Sequence, residues 1–424
     1  MTCHRFVIAP LRKRNQSGDK SPHSKMPVTL QTAHQQLWKW CRSQGFAGYD
    51  PYDGLNSRLF QATPLKKSRV ARLAWIQFHK RSPINFRSLV GIPRERNPKA
   101  IALFALAALA DFRRNPTKEN EIEARELLDD LIWMSLKGFK GACWGYNFDW
   151  QSRSFFVPRG TPTIVPTAFA ARALCEAAEV LSRDEYLPFA RTICDFILND
   201  LNRSEETNDE VCFSYSPIDR TRVFNASLLA GETFATVGKL LGEVSLIEWA
   251  QRTALYAVRR QQQNGSWLYG ADSHQLWADN FHTAYMLTSL SRIIDAGPVS
   301  EPGTIATGTN DQFNNSLRHG YDYWAERFFL KDGWPKYYPD RLYPADVHST
   351  ASAIMALVEF RGRIPGTLLL AEQIADWAIG NLRDEDGFFY YQQRRFQKVR
   401  IPYMRWSEAW MIYALARLRE ATGK

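Results

Sequence analysis

Two short stretches of the chain pair a carboxylate with an imidazole at a helix entry. "WADNFHTAY" places Asp279, Asn280 and His282 ahead of an apolar helical run, and "YPADVHSTA" repeats the arrangement with Asp346 and His348. Carboxylates are the usual acid and base or nucleophile of glycosidic hydrolysis, at separations of about 6.5–9.5 Å for inversion and 5–5.5 Å for retention. Imidazoles suit proton removal at a sugar carbon. Asp is also a good helix N-cap, so at Asp346 capping and catalysis stand side by side. The last apolar helix opens with "RIPYMRWSEAW", bringing Tyr403, Arg405, Trp406 and Glu408, and "PRGTPT" brings Arg159. "CWGYNFDWQSR" sets Trp144, Tyr146, Phe148 and Trp150 on alternate residues around Asn147 and Asp149, ending at Arg153. Period two gives an extended segment one aromatic face. That face serves packing and ligand contact equally well, and the expectation is an irregular or hairpin loop with Asp149, Gln151 and Arg153 toward a cavity.

Two mechanisms follow. Hydrolysis would draw its acid and its base or nucleophile from Asp149, Asp279, Asp346 and Glu408. β-Elimination or epimerisation would use His282 or His348 as base, Tyr337 as acid, and Arg153 or Arg405 to neutralise a uronate. Hydrolysis is favoured, because the candidate carboxylates outnumber the base and acid pairs. Trp144, Tyr146, Trp150, Arg153, Arg159, Trp267, Trp334, Tyr337, Tyr403, Arg405 and Trp406 are the expected substrate contacts, since sugars offer apolar CH faces and polar edges to such residues. "GYDPYDGLNSR" adds Asp50, Asp53 and Asn56 in a turn-rich loop that caps or binds. Asp279, His282, Asp346 and His348 match no compact zinc spacing, and no Cys lies beside them, so neither metal nor cofactor is expected. Nucleophile-elbow and phosphate-loop signatures are absent.

Positioning these residues falls to a repeat. Apolar residues at helical spacing mark segments near 99–113, 164–182, 222–241, 278–296, 345–361 and 403–421. Amphipathic segments near 28–46, 117–138, 184–202, 243–263, 311–330 and 367–383 alternate with them. The first series is rich in Ala and other small residues ("AIALFALAALADF", "TAFAARALCEAAEVL", "STASAIMALVEF"), as helices buried all round should be. The second series carries charge on one face. Each charged helix runs into a turn and aromatics: "KGACWGYNFDW", "NDEVCFSYS", "QNGSWLYG", "KDGWPKYYPD" and "EDGFFYYQ". Gly265, Gly333 and Gly387 fit the left-handed residue after a helix. Six hairpins with an apolar inner series predict an all-α (α/α)6 toroid whose chemistry sits on the rim made by the outer-to-inner loops; a continuous solenoid is the rival.

Composition agrees with a large globular core: hydrophobic residues are 45% and charged residues 23%, while aromatics reach 13% with 14 Trp. Sugar stacking and deep packing both explain that excess. Six Cys without a CxxC pair read as reduced thiols of a cytoplasmic protein. No run of about 18 apolar residues could cross a bilayer. The net charge is +10, but Arg5, Arg12, Lys13, Arg14, Lys20 and Lys25 against Asp19 leave half of it in residues 1–25. That segment reads as a disordered basic tail ahead of one domain at 26–424, and the rest of the charge is too dispersed for nucleic acid.

"QQQNGSW" fits QxxxGxW through Gln261, Gly265 and Trp267 and resembles the repeat of terpene cyclases, which also use α/α barrels. The DxDD acid of squalene-type cyclases is missing, since "RDEDG" offers only Asp384 and Asp386. Longer blocks, "GYDPYDGLNS", "WGYNFDWQSRSFFVPRGTP", "NGSWLYG", "DNFHT" and "IPYMRWSEAWM", resemble the bacterial exopolysaccharide-biosynthesis family typified by VpsJ, with Asn264 where Asp is common. That resemblance implies exopolysaccharide or capsule production, a six-hairpin-glycosidase-like toroid, a glycan or glycolipid substrate, and association with polysaccharide synthesis machinery. It assigns no catalytic residue. The alternatives are a non-catalytic glycan-binding or scaffold component and an isoprenoid enzyme like the terpene cyclases; the polar residues at the helix entries count against the latter.

Overall fold

The structure, a computed structural model, describes residues 28–151, 156–297 and 306–424; the basic segment 1–25 and Arg153 lie outside them. The apolar series forms α4 (Pro98–Arg114), α6 (Ile164–Val180), α8 (Phe224–Leu241), α10 (Asn280–Asp295), α12 (Val347–Glu359) and α14 (Ala409–Thr422). The amphipathic series forms α1 (Leu30–Ser43), α5 (Lys118–Trp133), α7 (Tyr186–Asn199), α9 (Val244–Val258), α11 (Ala306–Phe328) and α13 (Thr367–Asn381). Each inner helix packs on the next, from α4 through α6, α8, α10 and α12 to α14, and α14 returns to α4. The outer helix α1 packs on α14 and α13, which joins the first segment of the chain to the last. This closed double ring is the (α/α)6 toroid. The solenoid is excluded.

Small side chains explain the inner ring. In α4 every residue from Pro98 to Ala110 is buried, as a helix flanked on all sides requires. α5, by contrast, buries only Ala124, Leu127, Leu128 and Leu131, a stripe at helical spacing. The left-handed turn predicted after the outer helices is present, with φ of 87° at Gly265 and 84° at Gly333.

Strands are vestigial. Trp150–Gln151 pairs antiparallel with Phe156–Val157, the hairpin form of the aromatic segment. One insert was not foreseen: between α1 and α4 the chain adds α2 (Arg58–Gln61) and α3 (Arg69–Arg81), with 3-10 turns at Asp53–Asn56 and Pro64–Lys67. Only Ile76 and His79 of α3 are buried, too few to leave an apolar period in the sequence.

Candidate active site

All six inner helices begin at the same end of the ring, where the six outer-to-inner loops enclose a cavity of about 1000 Å³. The first turns of α4, α10 and α12 bring Lys99, His282 and His348 to its floor. Loops and the inserted α3 build the walls.

Asp279 is the N-cap of α10. Its Oδ1 accepts the His282 backbone N–H at 3.0 Å, while Oδ2 lies 2.7 Å from His282 Nδ1 and accepts the Trp277 indole N–H at 3.2 Å. An ionised carboxylate only accepts, so Nδ1 carries the proton and the Nε2 lone pair is left over. Nε2 has no partner among the described residues, and the imidazole lines the cavity. The ring is held by Tyr269 and Phe281, with centroids 4.6 and 3.8 Å away.

His348 lies on the other side of Phe281, 4.7 Å between ring centroids. Its Nε2 is 2.7 Å from the Tyr285 hydroxyl, which accepts from Lys99 Nζ at 3.0 Å. The chain Lys99–Tyr285–His348 thus ties α4, α10 and α12 together at the floor. Burial, then the neighbouring Lys99, Arg405 and His282, hold His348 well below the ordinary imidazole range. Burial and Arg405 also push the Lys99 amine well down. Lys99 Nζ sits over the rings of Phe169, Trp410 and Tyr285 at 4.7, 5.1 and 5.2 Å.

A π-turn at Met404–Glu408 opens α14: the Tyr403 carbonyl accepts from both Ser407 N–H at 2.7 Å and Glu408 N–H at 3.2 Å. Arg405 and Trp406 from this turn line the cavity. The Arg405 guanidinium is spanned by Asp50, at 2.6 and 2.8 Å, so its charge is already neutralised. That weakens the expectation that it meets a uronate. Asp50 and Asp53 serve structure, with Asp53 accepting from buried Arg87 at 2.7 Å.

Tyr146, Trp150, Tyr337, Asp279, His282, His348, Arg405 and Trp406 therefore share one cavity. Eight other expected residues are placed elsewhere. Trp144 and Trp267 are core residues that donate their indole N–H to the carbonyls of Leu131 and Ala257. Trp334 packs on Trp377 and donates to the Leu342 carbonyl. Tyr403 is buried between Tyr391 and Arg87. Glu408, fully buried behind the π-turn, accepts from the Phe389 N–H at 2.9 Å, and burial pushes its carboxyl well up. Asp346 caps α12 through the His348 and Ser349 N–H groups and accepts from Gln392 and Trp406, which separate it from the cavity. Asp149 accepts from the Arg159 N–H at 2.7 Å, and the Arg159 side chain pairs with Glu95 on the outside. Among the described residues no three His, Cys, Asp or Glu side chains gather as a metal site.

Lys99, Tyr285, Tyr52, Lys80, Arg81 and Arg394 also line the cavity and were missed. Two left a signal. Lys99 is the lone charge between Pro98 and Ala110 of α4, and Tyr285 follows His282 by three residues, on the same helical face. Lys80 and Arg81 come from α3 and Arg394 from the last loop, which no pattern tied to the rim, while Tyr52 sits in the turn-rich "GYDPYDGLNSR" loop.

No family model matches the chain, and no curated protein matches it in sequence. Solved structures do match in shape. One is a possible member of the GH105 family from Salmonella enterica, with 12% identity, a TM-score of 0.59, and coverage of 95% of this chain and 96% of that one. The chain has the (α/α)6-toroid fold of that structure. An unsaturated glucuronyl hydrolase specific for heparin matches 93% of this chain and 97% of its own at 12% identity and a TM-score of 0.58. Cellobiose 2-epimerase from Bacillus thermoamylovorans matches 77% and 87% at 14% identity and a TM-score of 0.57.

Proposed function

We propose that the protein is a carbohydrate-active enzyme that moves a proton at a sugar carbon, as an epimerase, isomerase or lyase does, with His282 as the base. The observation that carries this reading is the pair of imidazoles around Phe281. One is fixed by Asp279 with its Nε2 lone pair free; the other is buried and bonded to a tyrosine. In the epimerase form His282 Nε2 takes a proton from the carbon beside a carbonyl, the electron pair moves onto the carbonyl oxygen, Tyr285 returns a proton on the opposite face, and the proton left on His282 passes back to the Tyr285 oxygen to close the cycle. One C–H bond breaks and one forms, with no change in composition. Arg405 and the aromatic walls, Tyr146, Trp150, Tyr337 and Trp406, hold the ring. Solved proteins of this fold include the epimerase, a D-mannose isomerase and a polysaccharide lyase, which supports a sugar as the ligand.

Hydrolysis is the second reading, favoured by the presence of two carboxylates, Asp279 and Asp340, on the cavity wall. The count that favoured it from sequence is smaller here, because Asp149, Asp346 and Glu408 do not line the cavity. Isoprenoid chemistry would want a wall poor in polar groups, which this cavity lacks. A role in cytoplasmic exopolysaccharide or capsule production, in association with synthesis machinery, rests on the sequence blocks that resemble the VpsJ family. In support of solubility, no helix among the described residues is long and apolar enough to cross a membrane. A test is proton NMR of reducing and uronate oligosaccharides incubated with the enzyme in deuterium oxide. Deuterium at one sugar carbon, or an alkene proton from elimination, is expected; new reducing ends without either would replace this reading by hydrolysis, and no change in any sugar would favour a glycan binder.

A further inference from the structure

The cavity wall is basic. Six cationic side chains, Lys80, Arg81, Lys99, Arg341, Arg394 and Arg405, face two carboxylates, Asp279 and Asp340. Three of the six are not free to meet a ligand charge. Arg405 is matched by Asp50, Arg341 lies 3.5 Å from Asp340, and Lys99 is pushed toward its neutral form. Lys80, Arg81 and Arg394 remain, and among the described residues none of them has a carboxylate within ion-pair distance.

Several buried cations elsewhere are paired, as Arg172 is with Glu232 and Arg87 with Asp53. The three are also built together. Arg394, from the loop before α14, donates to the carbonyls of Arg81 at 2.6 Å and Lys80 at 3.2 Å, and so caps the C-terminus of α3. Lys80 Nζ donates to the Tyr52 hydroxyl at 2.7 Å and lies 4.5 Å from that ring's centroid. Arg81 is the exposed member and donates to Gln77. Asp346, whose charge reaches Lys80, is buried behind Gln392 and Trp406 and is occupied in capping α12. The positive ends of the inner-helix dipoles point to this same end of the ring. The C-terminal end of α3 stabilises these three cations in place, and with no carboxylate beside them their charge is directed to an anion in the cavity.

We infer that the substrate is an anionic sugar whose charged group, a uronate carboxylate or a phosphate, docks against Lys80, Arg81 and Arg394. This rests on the reading of the cavity as a glycan site and names the substrate class for it. It also gives α3 a purpose: the insert supplies the anion subsite, while the toroid supplies the reacting groups.

The test is titration calorimetry with three probes on the full chain: a glucuronate-containing disaccharide, its neutral glucose counterpart, and glucose 1-phosphate. An anionic probe is expected to bind about tenfold or more tighter than the neutral one, with the difference shrinking as salt rises. Which anion binds tighter assigns the charge to carboxylate or phosphate. Arg81→Gln keeps its backbone carbonyl, and so the Arg394 cap; it is expected to lose about tenfold in affinity for the anionic probe and none for the neutral one. Equal binding of neutral and anionic probes by the wild-type protein would overturn the inference and leave the glycan reading standing. An Arg81→Gln variant that binds the anion as tightly as wild type would overturn the assignment of the subsite. Binding of none of the three would sink the glycan reading itself.

Discussion

The division of labour between His282 and Glu408 is decided by what each side chain touches. His282 has a carboxylate behind it and an open Nε2 in front, the arrangement of an oriented general base. Replacing it with Asn, whose amide N–H takes over the Nδ1–H bond to Asp279, should lower turnover by about 10²–10⁴-fold and lower the melting temperature only modestly, through the lost ring packing on Tyr269 and Phe281. Asp279→Asn should lower turnover as well, since an amide no longer fixes the tautomer, and should cost about 1 kcal/mol of stability through the weakened cap. Glu408 is the opposite case. Its folded-state carboxyl is held well above the usual range by burial, so the native protein keeps a proton that the unfolded chain releases above about pH 4.5. Stability therefore falls as pH rises past that value. Glu408→Gln removes the ionisable group, so its melting temperature should gain on wild type between about pH 5 and pH 8, with turnover retained. A large loss of turnover without that gain would return Glu408 to the catalytic candidates. The sequence could not separate these residues, because both occur at the entry to an inner helix and the π-turn that turns Glu408 away leaves no composition signal.

At the scale of elements the sequence was most informative where a helix is buried all round or on one stripe, because burial forces periodicity. The inner and outer series were legible within a few residues at most ends, and the largest error, at α14, is the π-turn that precedes it. α3 was illegible because it buries two side chains, and the rim loops were legible only as turns and aromatics. Alternation in "CWGYNFDW" identified an extended segment but not which aromatic faces inward: Trp144 turns to the core while Tyr146, Phe148 and Trp150 line the cavity. The turns themselves were well marked. Gly333 sits at a φ of 84°, and a Cβ there would lie 2.4 Å from the Gln373 carbonyl oxygen of α13. Strain and overlap act together at this position, so Gly333→Ala should destabilise by about 2–4 kcal/mol in denaturant unfolding. Gly362→Ala is the control. Its Cβ meets nothing within 4 Å, and no comparable loss is expected there.

The ring as a whole is closed by more than apolar packing, because a belt of buried and half-buried ion pairs links the inner helices away from the cavity floor. Arg172 of α6 pairs with Glu232 of α8, which also meets Arg292 of α10, and Arg292 reaches Glu359 of α12 at 3.1 Å. Arg113 of α4 and Arg417 of α14 share Glu176 of α6. Burial alone would push Glu359 up, but Arg292, with Arg417 and Arg172, overrides it and holds the carboxyl down to about 2. Burial is likewise outweighed by arginines at Glu232 and Glu176, both lowered. A carboxylate whose folded value lies below its unfolded one contributes stability that is fully present above the unfolded value and is lost as pH falls through the folded one. For Glu359 the window runs from about 4.5 down to about 2, and the contribution is on the order of 3 kcal/mol. The toroid is therefore expected to unfold cooperatively in acid within that window, with little help from added salt because the pairs are buried. Glu359→Gln separates this from general acid unfolding. It should be less stable than wild type by about 3 kcal/mol at neutral pH, where Arg292 loses one partner. The gap should close as the acid limb is approached, because the variant has no Glu359 proton to take up. A gap that stays constant from neutral pH down to about pH 2 would show that the belt contributes shape rather than charge, and that ring closure is carried by the small-residue packing of the inner helices alone.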